Sequence, residues 1–209
     1  MKKFLFFAFG AVILSSAVFA KETVHNLDVS VPVDKRELDI DSDYSKRNVD
    51  ENSVSVGFDY SMMTINESGF SFIFGANIGY ASTKLEKLDN RLEGLDSGLK
   101  LGWGGIPVNL NNFVLGLHGF FGFGFRTQKF SEDSVDFKWT LFNTKIGADI
   151  VAIYRFNDRV GINASVDLFT NLPVIGSLDI DGDSKNTFYF FDGVGGIGVV
   201  PKIGVSLFF

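Results

Sequence analysis

Two aspartates stand where they could act as an acid–base pair. Asp149 and Asp167 belong to neighbouring strand-like segments, and the tight turn between the segments places them opposite each other. Two facing carboxylates that share a proton can perform general acid–base chemistry. A cation between them would make the pair a structural cluster instead. We favour the structural interpretation, with Lys145 or Lys202 as the neutralising lysine.

His118 is the second residue that could take part in catalysis, because a histidine beside a serine can activate a nucleophile. It is one of only two histidines in the chain, and its neighbours on the same strand face offer no serine. We therefore predict that His118 is a hydrogen-bonded packing residue. The sequence gives no reason to name a catalytic or a cofactor-binding residue.

Two runs of alternating aspartates could hold Ca²⁺ on a loop. Neither run has both the glycine at the sixth position and the distant glutamate that a complete calcium loop requires. We therefore predict solvated surface charge at both places and no metal ligand. The two runs are Asp39, Asp41 and Asp43, then Asp179, Asp181 and Asp183.

The composition excludes several classes of protein. The chain has 209 residues, no cysteine and a formal charge of -6. A disulfide-stapled fold or a cysteine-ligated metal is therefore impossible, and the acidic balance argues against a nucleic-acid partner. The 24 phenylalanines exclude a disordered chain. Their pairing with 23 glycines indicates a fold that needs large apolar side chains beside positions with none.

The first twenty residues have the layout of a secretory signal peptide. Lys2 and Lys3 precede an uncharged stretch that ends in small residues at Ala20. We expect cleavage after Ala20, which leaves residues 21–209 as one mature domain. Removing two of the 19 basic residues and none of the 25 acidic residues gives the mature chain a formal charge of -8.

The dominant pattern of the mature chain is strict alternation of large apolar residues with glycine or polar residues, which is typical of β-strands. Most runs are long enough to cross a membrane, which takes about 9–11 residues of strand. Eight strands enclose a lumen only just wide enough for side chains. The small and polar face therefore fits inside, and the apolar face meets lipid. The eight runs are 27–33, 53–62, 70–80, 98–104, 113–126, 145–156, 160–168 and 202–209.

The connections between these runs alternate between long and short. In a transmembrane barrel long loops face outward and short turns face the periplasm, so both termini also lie on the periplasmic side. The pattern predicts an all-β fold, a transmembrane antiparallel up-and-down β-barrel of eight strands. The long connections are 34–52, 84–96, 127–138 and 171–196, and the short ones are 65–69, 108–112 and 157–159.

Two of the long connections carry patterns of their own. Leu85, Leu88, Leu92 and Leu95 follow helical spacing. This spacing predicts a short amphipathic helix that either folds over the barrel mouth, which we favour, or binds a partner. Residues 181–184 favour a hairpin turn, so we expect the last two strands to continue beyond the membrane as a ribbon.

The inward face collects charges of both signs. Buried charges are tolerated when they are paired, so this near balance predicts an internal network that plugs the lumen or leaves a narrow path. A ring of one sign would have predicted ion selectivity. The predicted lumen residues are Asp28, Asp59, Lys100, His118, Arg126, Lys145, Asp149, Arg155, Asp167 and Lys202.

The C-terminus carries a motif that resembles the recognition signal of outer-membrane barrels. Lys202, Gly204, Leu207 and the terminal Phe209 occupy the polar, glycine, apolar and aromatic positions of that signal. The resemblance implies that the barrel-assembly machinery binds this last strand. The mature chain as a whole resembles small eight-stranded outer-membrane proteins of the OmpX and OmpW kind. Its phenylalanine-rich style is also similar to an uncharacterised family of small treponemal barrels.

These observations lead to a functional expectation. We expect a monomeric, non-enzymatic barrel in the outer membrane of a diderm bacterium, surrounded by outer-membrane lipid. Its outer loops would serve membrane integrity or contact a host or matrix ligand. The alternative is a narrow channel for small, apolar solutes, as the OmpW resemblance implies. A lipid-modifying enzyme that uses His118 is the third hypothesis.

Overall fold

The computed structural model describes residues 21–42, 45–85, 91–132, 135–180, 183–188 and 195–209. Nearly all of these residues lie in ten strands, and every pairing between strands is antiparallel. The strands are β1 (Glu22–Ser30), β2 (Val33–Ser42), β3 (Ser45–Ile65), β4 (Phe70–Leu85), β5 (Arg91–Leu110), β6 (Phe113–Glu132), β7 (Val135–Arg155), β8 (Val160–Ile180), β9 (Asp183–Phe188) and β10 (Gly196–Phe208).

Strands β1 and β2 together form one strand of the wall. Both pair with β3 on one side and with β10 on the other, and the register does not change between them. The break falls at Val31 and Pro32, because proline has no N–H to give to the ladder. The Ser55 N–H still donates to the Pro32 carbonyl (2.8 Å), and the Val31 N–H donates to the Pro201 carbonyl (3.1 Å).

Strand β10 closes the sheet into a ring. It pairs with β8 from Gly196 to Leu207 and with β1 from Lys202 to Phe208. The wall therefore has eight strands, and β9 forms a hairpin with the far end of β8. The predicted eight-stranded up-and-down barrel is confirmed, including the weak first strand.

All three short turns lie at one end of the barrel together with Lys21 and Phe209, and we name this end the turn end. Glu22 pairs with Ile65, and the Phe209 N–H donates to the Thr23 carbonyl (2.9 Å). Gly69 closes the β3–β4 turn with φ of +77°, a left-handed conformation that glycine adopts without strain. The opposite end, which carries the long connections, is named the hairpin end.

The predicted long loops are wrong over most of their length. Residues 34–52 were expected to form a loop, yet β2 and β3 stay paired from Val33–Val54 to Ser42–Ser45. Likewise β6 and β7 stay paired to Glu132–Val135. Strand β8 continues to Ile180, and its last residues pair with β9. Sequence reasoning stopped each strand where the apolar alternation stopped, but backbone pairing continues after the outer face becomes polar.

The predicted amphipathic helix is also wrong in its described part. Leu85 ends β4, while Leu92 and Leu95 belong to β5, and residues 86–90, with Leu88, lie outside the described residues. Leu92 is buried and Leu95 is exposed on the apolar ring. Leu92 and Leu95 are three residues apart, a spacing that changes the face of a strand, and four leucines were too few to separate helix from strand.

The outer face of the wall is a continuous ring of exposed apolar side chains. On β6 it includes Leu117, Phe121, Phe123 and Phe125, which are 38–45% exposed. On β4 the exposed apolar residues run from Phe70 to Tyr80, which matches the length of a membrane-spanning strand. This face meets lipid, as predicted, and the fold is a transmembrane barrel. Among the described residues, no helix has the length and hydropathy needed to cross a bilayer.

We predict that Gly204→Ala prevents clean closure of the ring. A Cβ at Gly204 would overlap the Leu27 carbonyl oxygen and the Asp28 carboxylate, which forces β10 away from β1. Overpacking of this kind costs about 1–3 kcal/mol of unfolding free energy. Urea unfolding in detergent, followed by tryptophan fluorescence, measures the loss.

Gly119→Ala is the matched control, because a Cβ at Gly119 would meet no atom within 4 Å. It should leave the urea midpoint unchanged, and it should also leave unchanged the difference in gel mobility between unboiled and boiled samples. Equal effects of the two alanine substitutions would contradict the tight β1–β10 contact.

Candidate functional site

The lumen is the candidate site, because every predicted polar site residue was expected to point into it. Inward side chains fill it in layers from the turn end to the hairpin end. An apolar layer comes first, then a lower ion cluster, a second apolar layer and an upper ion cluster.

The turn end of the lumen is closed by packed apolar side chains, which the sequence analysis missed. The alternating pattern placed Ile73 on the small or polar face and left Val151 and Ile153 without an assignment. Each of the three is only 0–2% exposed. The signal was present, since these residues interrupt the small or polar face near the short turns. The full layer is Val24, Met63, Ile65, Ile73, Ile106, Val114, Val151, Ile153 and Phe208.

Arg155 seals this layer at the turn end. Its guanidinium donates two hydrogen bonds to Glu22, at 2.8 and 2.6 Å, and it stacks 4.2 Å above the Phe208 ring. A bidentate arginine–carboxylate pair is geometrically specific. This pair therefore ties the beginning of β1 to the end of β7.

The lower ion cluster consists of Asp59, Lys100, Asp149, Asp167 and Lys202. Asp149 and Asp167 are direct partners across β7 and β8, as predicted. The Lys100 Nζ donates to both carboxylates, at 2.8 Å to Asp167. The Lys202 Nζ donates to Asp167 (2.6 Å) and lies 3.6 Å from Asp59. Two cations thus neutralise the facing aspartates, which supports the structural interpretation of the pair.

Asp28 and Lys145 occupy places beside this cluster. Asp28 is the cross-strand partner of Asp59 and is 5% exposed. The predicted role of Lys145 as a neutraliser of Asp149 and Asp167 is wrong. Its Nζ lies 5.0 Å from the centre of the Phe169 ring instead, on the hairpin side of the cluster. Lys202 fills the predicted role together with Lys100.

His118 does have a serine partner, which corrects the sequence analysis. Its Nε2 lies 2.8 Å from the Ser71 Oγ, and both side chains are buried. Ser71 is two strands away, and Gly104 lies between them in the same row. Because Gly104 has no side chain, histidine and serine meet across it. Such a pair can form a nucleophile and base, but here it is enclosed between the apolar layer and the lower ion cluster.

A second apolar layer separates the two ion clusters. It consists of Phe120, Phe169 and Val200. Beside it lies a cavity of about 40 Å³, which Asp59, Lys100 and Lys145 help to line. A volume of this size holds a few water molecules at most. The cavity is too small for a solute path along the lumen.

The upper ion cluster is centred on Arg126, which is 1% exposed. Its guanidinium contacts Asp34 (2.9 Å), Glu51 (3.1 Å) and Asp96 (2.7 Å). Arg36 also donates to Asp34, at 2.7 Å. Sequence reasoning included Arg126 but missed the other four, because it placed 34–52 and 84–96 in loops. The available signal was the alternation that continues past Val33: Asp34 and Arg36 follow the inward positions of the preceding strand.

The residues of the C-terminal motif do structural work in the ring. Lys202 belongs to the lower ion cluster, and Gly204 lies against β1. Leu207 is the cross-strand partner of His25, and the exposed Phe209 ring lies 5.1 Å from the His25 ring. Binding of this strand by the assembly machinery stays a prediction.

The calcium hypothesis remains untested at its key residues. Asp43 and Asp181 lie outside the described residues, as do the side chains of Asp39, Asp41 and Asp183. Within the part of the chain that is described, no three histidine, aspartate or glutamate side chains are arranged to hold a metal ion.

Solved structures that are similar to this chain include outer-membrane proteins. No protein-family model matches the chain, and no curated protein is similar to it in sequence. The outer membrane protein OprG from Pseudomonas aeruginosa aligns with a TM-score of 0.66 and 12% identity, over 91% of this chain and 96% of that chain. The outer membrane protease OmpT from Escherichia coli gives 0.49 and 9%, over 91% and 97%. Ail, the attachment invasion locus protein of Yersinia pestis, gives 0.47 and 12%, over 90% and 99%.

The class of fold is therefore that of an outer-membrane β-barrel. The resemblance to small eight-stranded outer-membrane barrels is confirmed at the level of the fold, through the similarity to OprG. The resemblance to the treponemal family stays a prediction.

We predict that Arg126→Met strongly destabilises the barrel. The substitution leaves Asp34, Glu51 and Asp96 close together with one cation fewer. Removing one partner of a buried ion pair costs about 3–5 kcal/mol. Urea unfolding in detergent measures the expected fall in unfolding free energy.

Lys35→Met is the control, because the Lys35 side chain is 61% exposed and pairs with Asp50 at 3.2 Å. An exposed pair contributes about 1 kcal/mol or less. If the Arg126 variant unfolds at the same urea concentration as the Lys35 variant, the upper ion cluster does not hold the wall together.

Proposed function

We propose that this protein is a closed, non-enzymatic barrel of the outer membrane of a diderm bacterium, which presents its hairpin end to the outside. The observation that carries the proposal is the filled lumen. Two apolar layers and two ion clusters occupy it from end to end within the described residues.

The chemistry of the filling explains why it stays in place. Opening a path past the upper ion cluster would separate Arg126 from three carboxylates in a low-dielectric lumen. The lower cluster would have to release Lys100 and Lys202 in the same way. Unpaired buried charges are costly, so the filled lumen supports a non-conducting barrel over the alternative of a channel for small, apolar solutes.

The hairpin end supports a role at the cell surface. Strand β7 has 21 residues, and about ten of them suffice to cross a bilayer. The outer parts of β2 and β3, and those of β6 and β7, therefore project beyond the apolar ring as paired ribbons. A projecting ribbon offers a surface for a host or matrix ligand, and the closed wall contributes to membrane integrity.

The other partners follow from the same architecture. The signal peptide, cleaved after Ala20, would deliver the chain to the periplasm, where the assembly machinery would bind the C-terminal strand. The closed ring leaves its wall strands paired on both sides at the level of the apolar ring, which suits a monomer surrounded by lipid.

We predict that the mature protein does not conduct like a porin. Residues 21–209, refolded and inserted into planar bilayers, should show no steady conductance on the nanosiemens scale, because the lumen is filled. A general porin recorded in the same chamber is the positive control. Steady conductance would refute the closed lumen, and uptake of a small apolar solute into liposomes that contain the protein would favour the channel instead.

We predict that the hairpin end faces the outside of the cell. The chain has no cysteine, so single cysteines report their own position. Asp136→Cys near the hairpin end should react with a membrane-impermeant maleimide on intact cells. Asp158→Cys in a short turn should react only after lysis. Both aspartates are exposed, so the reverse labelling pattern would show that the barrel has the opposite orientation.

A further inference from the structure

Four cations lie at one height on the outer face of β4 to β7, just beyond the apolar ring. Each lies four residues past the last exposed apolar residue of its strand, and therefore on the same strand face. The apolar residues are Tyr80, Leu95, Phe125 and Phe142. The cations, all exposed, are Lys84, Arg91, Lys129 and Lys138.

This height corresponds to the headgroups of a bilayer. Four residues of a tilted strand rise by about 10 Å. The headgroup region on each side of a bilayer is about 5–7 Å thick. Lysine and arginine side chains are long enough to reach back toward the membrane surface, so their charged groups fall at the level of lipid phosphates.

The cations also lie next to one another across the sheet. Lys84 is the direct partner of Arg91, and Lys129 is the direct partner of Lys138. Arg91 and Lys129 are diagonal neighbours, because Glu93 is the partner of Lys129. Like charges directly opposite each other destabilise a sheet, and a multivalent anion between them would remove that cost.

Three acids border this group, and one of them is Asp136, which lies two residues from Lys138 on the same exposed face of β7. Glu93 faces Lys129 and accepts a hydrogen bond from the Tyr80 hydroxyl at 2.8 Å. Asp179 is the partner of Lys138 on β8. Four cations and three acids leave one net positive charge on a protein that is acidic as a whole.

We propose that Lys84, Arg91, Lys129 and Lys138 form a headgroup patch that binds phosphate-bearing lipids of the outer leaflet. The proposal rests on the membrane placement proposed above. A lipid fits both parts of this surface, because its phosphate meets the cations while its chains pack on the apolar residues just below them. A soluble polyanion would use only the cations, and it would gain nothing from their fixed distance to the apolar ring.

The test is native mass spectrometry of the mature barrel, released from micelles that contain phosphatidic acid and phosphatidylcholine. The wild-type barrel should retain phosphatidic acid in preference. Lys84→Gln with Arg91→Gln, and Lys129→Gln with Lys138→Gln, should each weaken retention by about fivefold for every cation removed. The fourfold variant should show no preference.

The matched control removes two exposed cations at the turn end, Lys21→Gln with Arg159→Gln, and should keep the wild-type preference. Unboiled gels establish that every variant is folded before it is compared. The proposal is overturned if wild type shows no preference, if the fourfold variant retains phosphatidic acid like wild type, or if dextran sulfate binds to the patch while phosphatidic acid does not. Steady conductance in planar bilayers, or the reverse pattern of cysteine labelling, would refute the proposed function separately. Lipid retention in micelles depends on neither result.

Discussion

Closure of the backbone ladder is the constraint on which the rest of the structure depends. Lipid offers no hydrogen-bond partner, so every backbone N–H and C=O at the level of the apolar ring must be paired within the wall. Strand β10 meets this demand by pairing with β8 and β1 at once. The ladder is weakened at Pro32 and Pro201, which cannot donate. The Val31 N–H donates to the Pro201 carbonyl, so these two prolines fall at one height. Pro107 and Pro173 lie at the register shifts of the β5–β6 and β7–β8 pairs.

A ring of only eight strands then dictates what the lumen can contain. Its width allows side chains from opposite walls to touch. Lys100 of β5 reaches Asp167 of β8, and Arg126 of β6 reaches Asp34 of β2. Glycine is required where two strands approach closely, as at Gly204 against Leu27. A narrow ring therefore brings together residues that are far apart in the sequence, and the same narrowness fills the space that a solute would need.

The membrane-spanning part of the barrel could be predicted from the sequence, because two-residue alternation there has a physical cause on both faces. Lipid demands apolar residues outside, and the narrow lumen demands small or polar ones inside. Beyond the apolar ring the outer face no longer has to be apolar. The strands that contain Glu51 and Lys129 therefore continue where the apolar pattern has ended. Near the short turns the inward face is no longer small or polar, because Ile153 and Met63 pack there in an apolar core. The Ser71–His118 contact was missed because it crosses two strands, which no local pattern reports.

The ion clusters do more than fill the lumen, because they select the register in which the ring closes. Lys202 lies on the closing strand β10, between β8 and β1. It contacts Asp167 of β8 on one side and approaches Asp59 of β3 on the other. A slip of one residue would turn every side chain of β10 to the opposite face. Lys202 would then point into lipid, at a cost of about 2–4 kcal/mol near the bilayer midplane, and Asp167 would lose a cation. Apolar residues in the same lumen would fill space but would not distinguish the two registers so sharply. The charges of the lower ion cluster that favour the correct closure are thus also part of the filling of the lumen.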